Sequence, residues 1–306
     1  MALLNSFGTQ WGLLHDHMGR QFFVAASATY TIGGQSYAAS DNNDGRSPER
    51  ALLTIAAALA LTTASAGDVV VLLPGAHSVA ASLAMSKAGV MLTGLPGSNR
   101  RPLRSNTSIT ISASDEIINI TAANIEICHL DIIPITAKNA IDFSSAASYL
   151  YIHDCYIDLN TPAVNIATQG IVALGAATGV IIDDCYFLAD GAQGVAIDAT
   201  GAINSMLRRC YFVVNAGTWA AAVLTGAATR LFVEACIFLC TGTAMTVGID
   251  GTGMTGASGV IMMNNRFSSL VTKGVDNYDA GEAELSENYD AGVGATDGGV
   301  LVVAIT

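Results

Sequence analysis

The chain is predicted to be all-β, a parallel β-helix (solenoid). Three observations predict this: a recurring cysteine frame, a second alternating run in each repeat, and small turn residues between the runs. Five of the six cysteines sit in one frame, apolar-x-x-Cys-x-apolar: Ile125 with Cys128 and Leu130, Ile152 with Cys155 and Ile157, Ile182 with Cys185 and Phe187, Leu207 with Cys210 and Phe212, and Val233 with Cys236 and Phe238. Asparagine continues it at Met262, Asn265 and Phe267, and at Leu285 and Asn288. The steps are 27, 30, 25, 26, 29 and 23 residues, a period that tolerates small insertions.

Each unit carries a further short run ahead of the Cys/Asn position, such as Ile118-Asn119-Ile120, Ile171-Val172-Ala173-Leu174 or Val247-Gly248-Ile249-Asp250. Gly, Ala, Thr, Ser and Asn separate the runs. Short β-branched and aromatic segments with period two, bounded by turn residues, read as strands. Two or three strands per turn at this period give a β-helix. One register position of successive coils then forms a ladder about 4.8 Å apart. Small apolar Cys suits an inward corner of that ladder, and Asn there can form amide ladders. The cysteines are therefore expected to be reduced wall residues. Parallel Cβ vectors suit a disulfide poorly, and ligands diverging along an axis suit zinc poorly.

Four segments follow. Residues 1–36 do not fit the frame and read as an apolar docking arm, with Leu4, Trp11, Leu13, Leu14, Phe22 and Phe23 as attachment residues. Residues 37–67 form an opening turn and a capping helix. Pro48 lies near that helix's first turn and Gly67 just past its end. Such a cap would cover the open end of the stack. Residues 68–290 make about eight or nine coils, and residues 291–306 read as a last strand that must pair or be buried.

The run DNNDGRSPERALLTIAAALA followed by AGDVVVLLPGAH resembles the opening module of right-handed, single-stranded parallel β-helix proteins of the pectate-lyase-like superfamily, across roughly residues 37–290. The tryptophan-bearing arm and compact size further resemble β-helix virion proteins of tailed bacteriophages, including tailspikes and capsid decoration proteins. That resemblance implies a homo-oligomer, a trimer in preference to a dimer, made in the host cytoplasm and carried on the virion. Its partner would be the major capsid or another virion protein. The capsid surface is preferred, with a tailspike or fibre binding a surface glycan as the alternative and a polysaccharide lyase or hydrolase as a further one.

Composition narrows the partners. Charged residues are 12% of the 306 and apolar residues 51%, so much apolar surface must be hidden with little charge to cover the rest. A formal net charge of −12 has the wrong sign for nucleic acid. No apolar stretch approaches the roughly 18–20 residues of a transmembrane helix, so membrane insertion is not expected. The N-terminus lacks a basic n-region and a compact apolar core, so no signal peptide is read there.

The chemistry-bearing candidates lie just before the ladder: His153-Asp154, Asp183-Asp184, Arg208-Arg209 and Glu234-Ala235. Stacking would set Asp183 against Arg208 and Arg208 against Glu234, pairs that cross-strand neighbours favour without any catalysis. Asp154, Asp184 and Arg209 are the catalytic candidates, since glycosidase chemistry needs two carboxyl groups about 5–9.5 Å apart. The Gly-His-Gly and Arg-x-Lys elements that accompany Asp pairs in polygalacturonase-like enzymes are missing. The chain is accordingly expected to be non-enzymatic. No cofactor or metal is expected either: Asp41 and Asp44 echo part of a calcium loop, but its twelfth position is Leu52, and His15-Asp16-His17 reads as a polar turn.

Overall fold

The computed structural model describes residues 19–290 apart from 96–104, 113–114, 135–138, 144–146, 160–168, 174–176, 190–192, 215–218, 227, 241–244, 252–258, 269–270, 277–282 and 287–288. Three parallel sheets of ten, nine and eight strands wrap one axis, and each coil contributes a strand to each sheet in turn. The chain is thus a parallel β-solenoid with very little helix. Ten rungs of the first sheet at about 4.8 Å correspond to a rod of roughly 43 Å.

The first coils show how the stack begins. Strand β1 (Gln21–Val24) pairs in parallel with β4 (Val69–Leu72), Gln21 opposite Val69 and Val24 opposite Leu72. Between them the chain makes the antiparallel hairpin β2 (Thr29–Ile32) and β3 (Gln35–Ala38), turning through Gly33 and Gly34 at φ 58° and 83°. Two successive positive φ values suit a tight hairpin turn, and glycine adopts them without a Cβ clash. Strands β5 (Gly75–Val79) and β6 (Leu83–Met85) open the second and third sheets.

Gln21–Val24 therefore belongs to the solenoid and not to a docking arm. Phe22 and Phe23 are buried on opposite faces of β1, Phe22 in the main core and Phe23 in a second apolar cluster outside the first sheet. That cluster also holds Val69, Val71, Met91 and Cys128, with Tyr30 and Ile32 of the hairpin packed against it. Both faces of the opening strands are covered, so their sequence reads VVVL rather than alternating. Leu4, Trp11, Leu13 and Leu14 lie outside the described residues.

Helix α1 (Ile55–Leu61) is shorter than the predicted segment because its flanks are needed elsewhere. Leu52 bridges to Val24, accepting from the Ala25 N–H and donating to the Phe23 carbonyl. Asp41 accepts hydrogen bonds from the N–H groups of Leu53 and Thr54 and from the Thr54 hydroxyl, and Thr54 caps the helix by accepting from Ala57. Lys87 Nζ donates to the carbonyls of Leu59, Ala60 and Thr62 at the other end. Ile55, Ala58 and Leu59 join the core. The edge of the first sheet is thus formed by β1, with Leu52 bridged to it, and not clearly by the helix that the sequence predicted as the cap.

Asp68 ties these pieces down. Fully buried, it accepts from the Arg20 backbone N–H at 2.8 Å, from Arg20 Nη2 at 2.7 Å and from the Thr63 N–H at 2.7 Å. Burial opposes its charge, yet the Arg20 contacts outweigh it and hold the carboxyl below its usual value.

Inside the rod, like stacks on like. Cys155, Cys185, Cys210, Cys236 and Asn265 occupy successive rungs between the first and second sheets, all buried; all six cysteines of the chain are free thiols. Each ladder thiol donates to the carbonyl two residues before it, at 3.3–3.5 Å. Asn265 takes over with stronger bonds, Nδ2 donating to the Val233 carbonyl and Oδ1 accepting from the Cys236 N–H, both at 2.9 Å. Burial pushes the Cys185 and Cys236 thiols well up. In the second sheet, Phe187, Phe212, Phe238 and Phe267 stack with centroids 5.1, 4.8 and 4.7 Å apart.

Cys128 is not on this ladder. Glu126 pairs with Tyr151 and Ile127 with Ile152, so Cys128 stands opposite His153, and the ladder position in its coil is held by Leu130, whose carbonyl accepts from the Tyr156 N–H. Aligning that coil on its cysteine displaces it by two residues. Because a left-handed turn residue separates the two positions, the displacement carries Cys128 from the inward corner onto the outside of the first sheet, into the second apolar cluster. Asn288 lies outside the described residues.

Candidate functional site

The outer face of the first sheet gathers the chemistry. One register row runs Val71, Thr93, Cys128, His153, Asp183, Arg208, Glu234 and Met263. Next to it runs a row of turn residues, His129, Asp154, Asp184, Arg209, Ala235 and Asn264, each with φ between 51° and 57°. Asp and Asn adopt this left-handed conformation at modest cost, whereas Arg209 and Ala235 carry the full steric penalty of an L-residue. The adjacency of Asp183-Asp184 and Arg208-Arg209 follows from this geometry. The first residue of each pair ends the strand, and the second turns the chain toward the ladder.

These side chains bind one another. Asp183 is only 2% exposed; Arg209 Nη2 donates to its Oδ2, and Arg208 Nε lies 2.8 Å from the same oxygen without hydrogen-bond alignment. Asp184 Oδ2 accepts from Arg209 Nε at 3.1 Å and Nη2 at 3.0 Å. Asp154 Oδ2 stands 2.8 Å from His153 Nδ1, and Glu126 Oε1 lies 3.1 Å from His153 Nε2. Of the three catalytic candidates, Asp184 and Arg209 form one ion pair and Asp154 belongs to the histidine cluster one coil earlier.

His153 is the most perturbed group of the face. Burial disfavours its cation, but Asp154 first, then Cys128 and Glu126, outweigh that effect and push it up to about 12. It is therefore an imidazolium at neutral pH, held between two carboxylates. Tyr151 stacks on the ring at 4.2 Å and His129 meets it edge-on at 5.8 Å. Burial pushes the neighbouring Cys128 thiol up as well.

A carbohydrate platform needs an open ring face. In the row outside the second sheet, Tyr156, Tyr186 and Tyr211 stack on each other at 5.0 and 6.1 Å, so the middle ring, Tyr186, has both faces covered. Among the described residues, the exposed exception is Tyr149 at 64%. The sequence reasoning did not single out Glu126 or the meeting of Cys128 with His153. A signal for both existed in a second left-handed row, Gly89, Asn124, Tyr149, Gly179, Asn204, Arg230 and Gly259, each two residues before the first-sheet register row of Met91, Glu126, Tyr151, Ile181, Met206, Phe232 and Ile261. The step from Asn124 to Tyr149 is 25 residues, the true register of that coil.

Among the described residues, no helix is long and apolar enough to cross a membrane. No family model and no curated protein sequence matches the chain. Solved structures do resemble it. A pectin methylesterase from Aspergillus niger superposes with a TM-score of 0.61 at 15% identity, covering 93% of this chain and 91% of that one. Pectin methylesterase PemA from Erwinia chrysanthemi gives 0.54 at 12% identity, covering 90% and 91%. Pectate lyase Pel9A gives 0.57 at 11% identity, covering 90% of this chain and 76% of that one. At these identities the likeness is one of fold, the parallel β-helix, and it does not establish catalysis.

Proposed function

We propose that the chain is a non-enzymatic structural β-helix of a tailed-bacteriophage particle, a homo-oligomer seated on the capsid surface. The observation that carries the non-enzymatic part is the mutual neutralisation of the outer face. Asp183 and Asp184 are held by Arg208 and Arg209, and Asp154 by His153, so the carboxylates that would have to flank a substrate are already engaged. The particle assignment is supported by the resemblance of the tryptophan-bearing arm and compact size to β-helix virion proteins, and by a chain with 12% charged residues that must bury apolar surface against something. The apolar positions Leu4, Trp11, Leu13 and Leu14 are the attachment element.

Cryo-microscopy of intact particles tests this directly, with density for the rod expected on the capsid lattice. A chain lacking residues 1–18 is expected to fold, since β1 is retained, and to fail to join particles. Undiminished incorporation of that chain would reject the attachment role. A polysaccharide-processing enzyme is the second reading, favoured by the half-buried cluster of Glu126, His153 and Asp154 on the outside of the first sheet. Release of reducing ends or unsaturated products from a host-surface polysaccharide would replace the first reading with the second.

A further inference from the structure

The offset that takes Cys128 off the wall ladder gives it new neighbours. A carboxylate oxygen of Glu126, the Cys128 sulfur and an imidazole nitrogen of His153 lie within 4.8 Å of one another. We propose that these three side chains bind a single zinc-class divalent ion that staples the strand Glu126–Cys128 to the strand Tyr151–His153 of the next coil. The expectation of no metal rested on cysteines that diverge along the rod axis. Cys128 is the exception, because it converges with a histidine and a glutamate.

The donor set selects the class of ion. A thiolate, an imidazole and a carboxylate together suit zinc and its borderline-soft neighbours, whereas calcium and magnesium take oxygen ligands. The spacing fits as well. Bonds of about 2.3 Å to sulfur and about 2.0–2.2 Å to nitrogen and oxygen give tetrahedral edges of about 3.3–3.6 Å. Glu126 Oε1 and His153 Nε2, at 3.1 Å, already stand near one such edge.

The surroundings are those of an oriented ligand. Asp154 engages the far ring nitrogen of His153, Nδ1, at 2.8 Å, the carboxylate–histidine arrangement that fixes which nitrogen faces a metal. Stacked Tyr151 and edge-on His129 hold the ring plane. Thr93 Oγ1, 3.2 Å from the Cys128 sulfur, can turn its hydroxyl to donate to a thiolate. Cys128 is fully buried while Glu126 and His153 are half-buried, so the ion has protein on one side and a fourth position left to water on the other. Binding releases the thiol proton, and the proton on the metal-facing imidazole nitrogen, to solvent. The site is independent of the particle assignment, since it joins two coils of one chain.

The test uses the full chain, stripped with a chelator, with Co²⁺ and then Zn²⁺ as probes. One Co²⁺ per chain is expected, with tetrahedral visible bands and a sulfur-to-cobalt charge-transfer band that stoichiometric Zn²⁺ abolishes. Zinc should also raise the thermal midpoint. Cys128→Ser should lose the charge-transfer band, while Cys240→Ser should keep it. Glu126→Gln and His153→Gln should each weaken zinc by tenfold or more, and they decide the matter if Cys128→Ser does not fold. Asp154→Asn, which touches no metal, should weaken zinc about 10–100-fold. A wild-type chain without the sulfur band, or a band that survives Cys128→Ser, would overturn the site and leave an imidazolium ion-paired between two carboxylates.

Discussion

The inner wall and the outer face of the first sheet are made by alternate residues of the same strands, yet they follow opposite rules. Inward, Ile127, Ile152, Ile182, Leu207, Val233 and Met262 succeed one another as near copies. Outward, Cys128, His153, Asp183, Arg208 and Glu234 succeed one another with no two side chains alike. A wall rung must fill the same volume as the rungs above and below it, so shape repeats. An outer rung needs only to complement its neighbours, and opposite charges do that better than copies.

Truncating a wall aromatic should break this contrast most severely. Phe212→Ala removes a ring stacked on both sides, at 5.1 Å from Phe187 and 4.8 Å from Phe238, and leaves a cavity the neighbouring coils cannot close. The expected cost is about 3–5 kcal/mol, read from urea unfolding. Asn265→Ala comes next. It strands the Cys236 N–H and the Val233 carbonyl in the core, for about 2–4 kcal/mol, whereas Asn265→Cys restores the ladder side chain and should cost less.

A buried polar anchor should behave like the wall. Asp68→Asn is expected to cost about 1.5–3 kcal/mol through the weakened Arg20 and Thr63 bonds. The pH dependence follows from the depressed carboxyl. Its stabilisation is present above the unfolded value of about 3.9 and is lost as pH falls through the lower folded value. The variant should therefore show a shallower loss of stability in acid, measured as unfolding midpoints from pH 6 downward. An acid limb unchanged by the substitution would assign that loss to other carboxylates.

The same contrast explains what could be read in advance. The wall is periodic, so the solenoid, the rung positions of Cys155 to Asn265 and the stack of Asp183, Arg208 and Glu234 follow from spacing alone. Cys128 misled because cysteine at a step of 27 residues mimics the frame of its neighbours, while backbone pairing sets the step at 25. Phe22 and Phe23 misled for another reason: β1 is parted from β4 by the hairpin and the helix, an excursion longer than any coil, so no period reaches it. The cluster of Glu126, Cys128 and His153 was illegible because three unlike residues on two coils form no repeat.

The smallest expected effect has opposite signs at two alanines. Ala235 turns the chain at φ 53°, where a Cβ crowds the backbone and no polar side chain compensates, unlike Asp184 or Asn264 in the same row. Ala235→Gly removes that crowding, worth roughly 1–2 kcal/mol, against about 0.5–1 kcal/mol of extra unfolded-state entropy. A net gain of up to about 1 kcal/mol is expected. Ala222, fully buried within the strand Trp219–Leu224, is not among the positive-φ residues, so Ala222→Gly adds the loss of a buried methyl to the entropy penalty and should lose about 1–2 kcal/mol. Urea midpoints of the two variants should move apart from the wild type in opposite directions. Movement in the same direction would mean that the turn row is no more strained than the strands it connects.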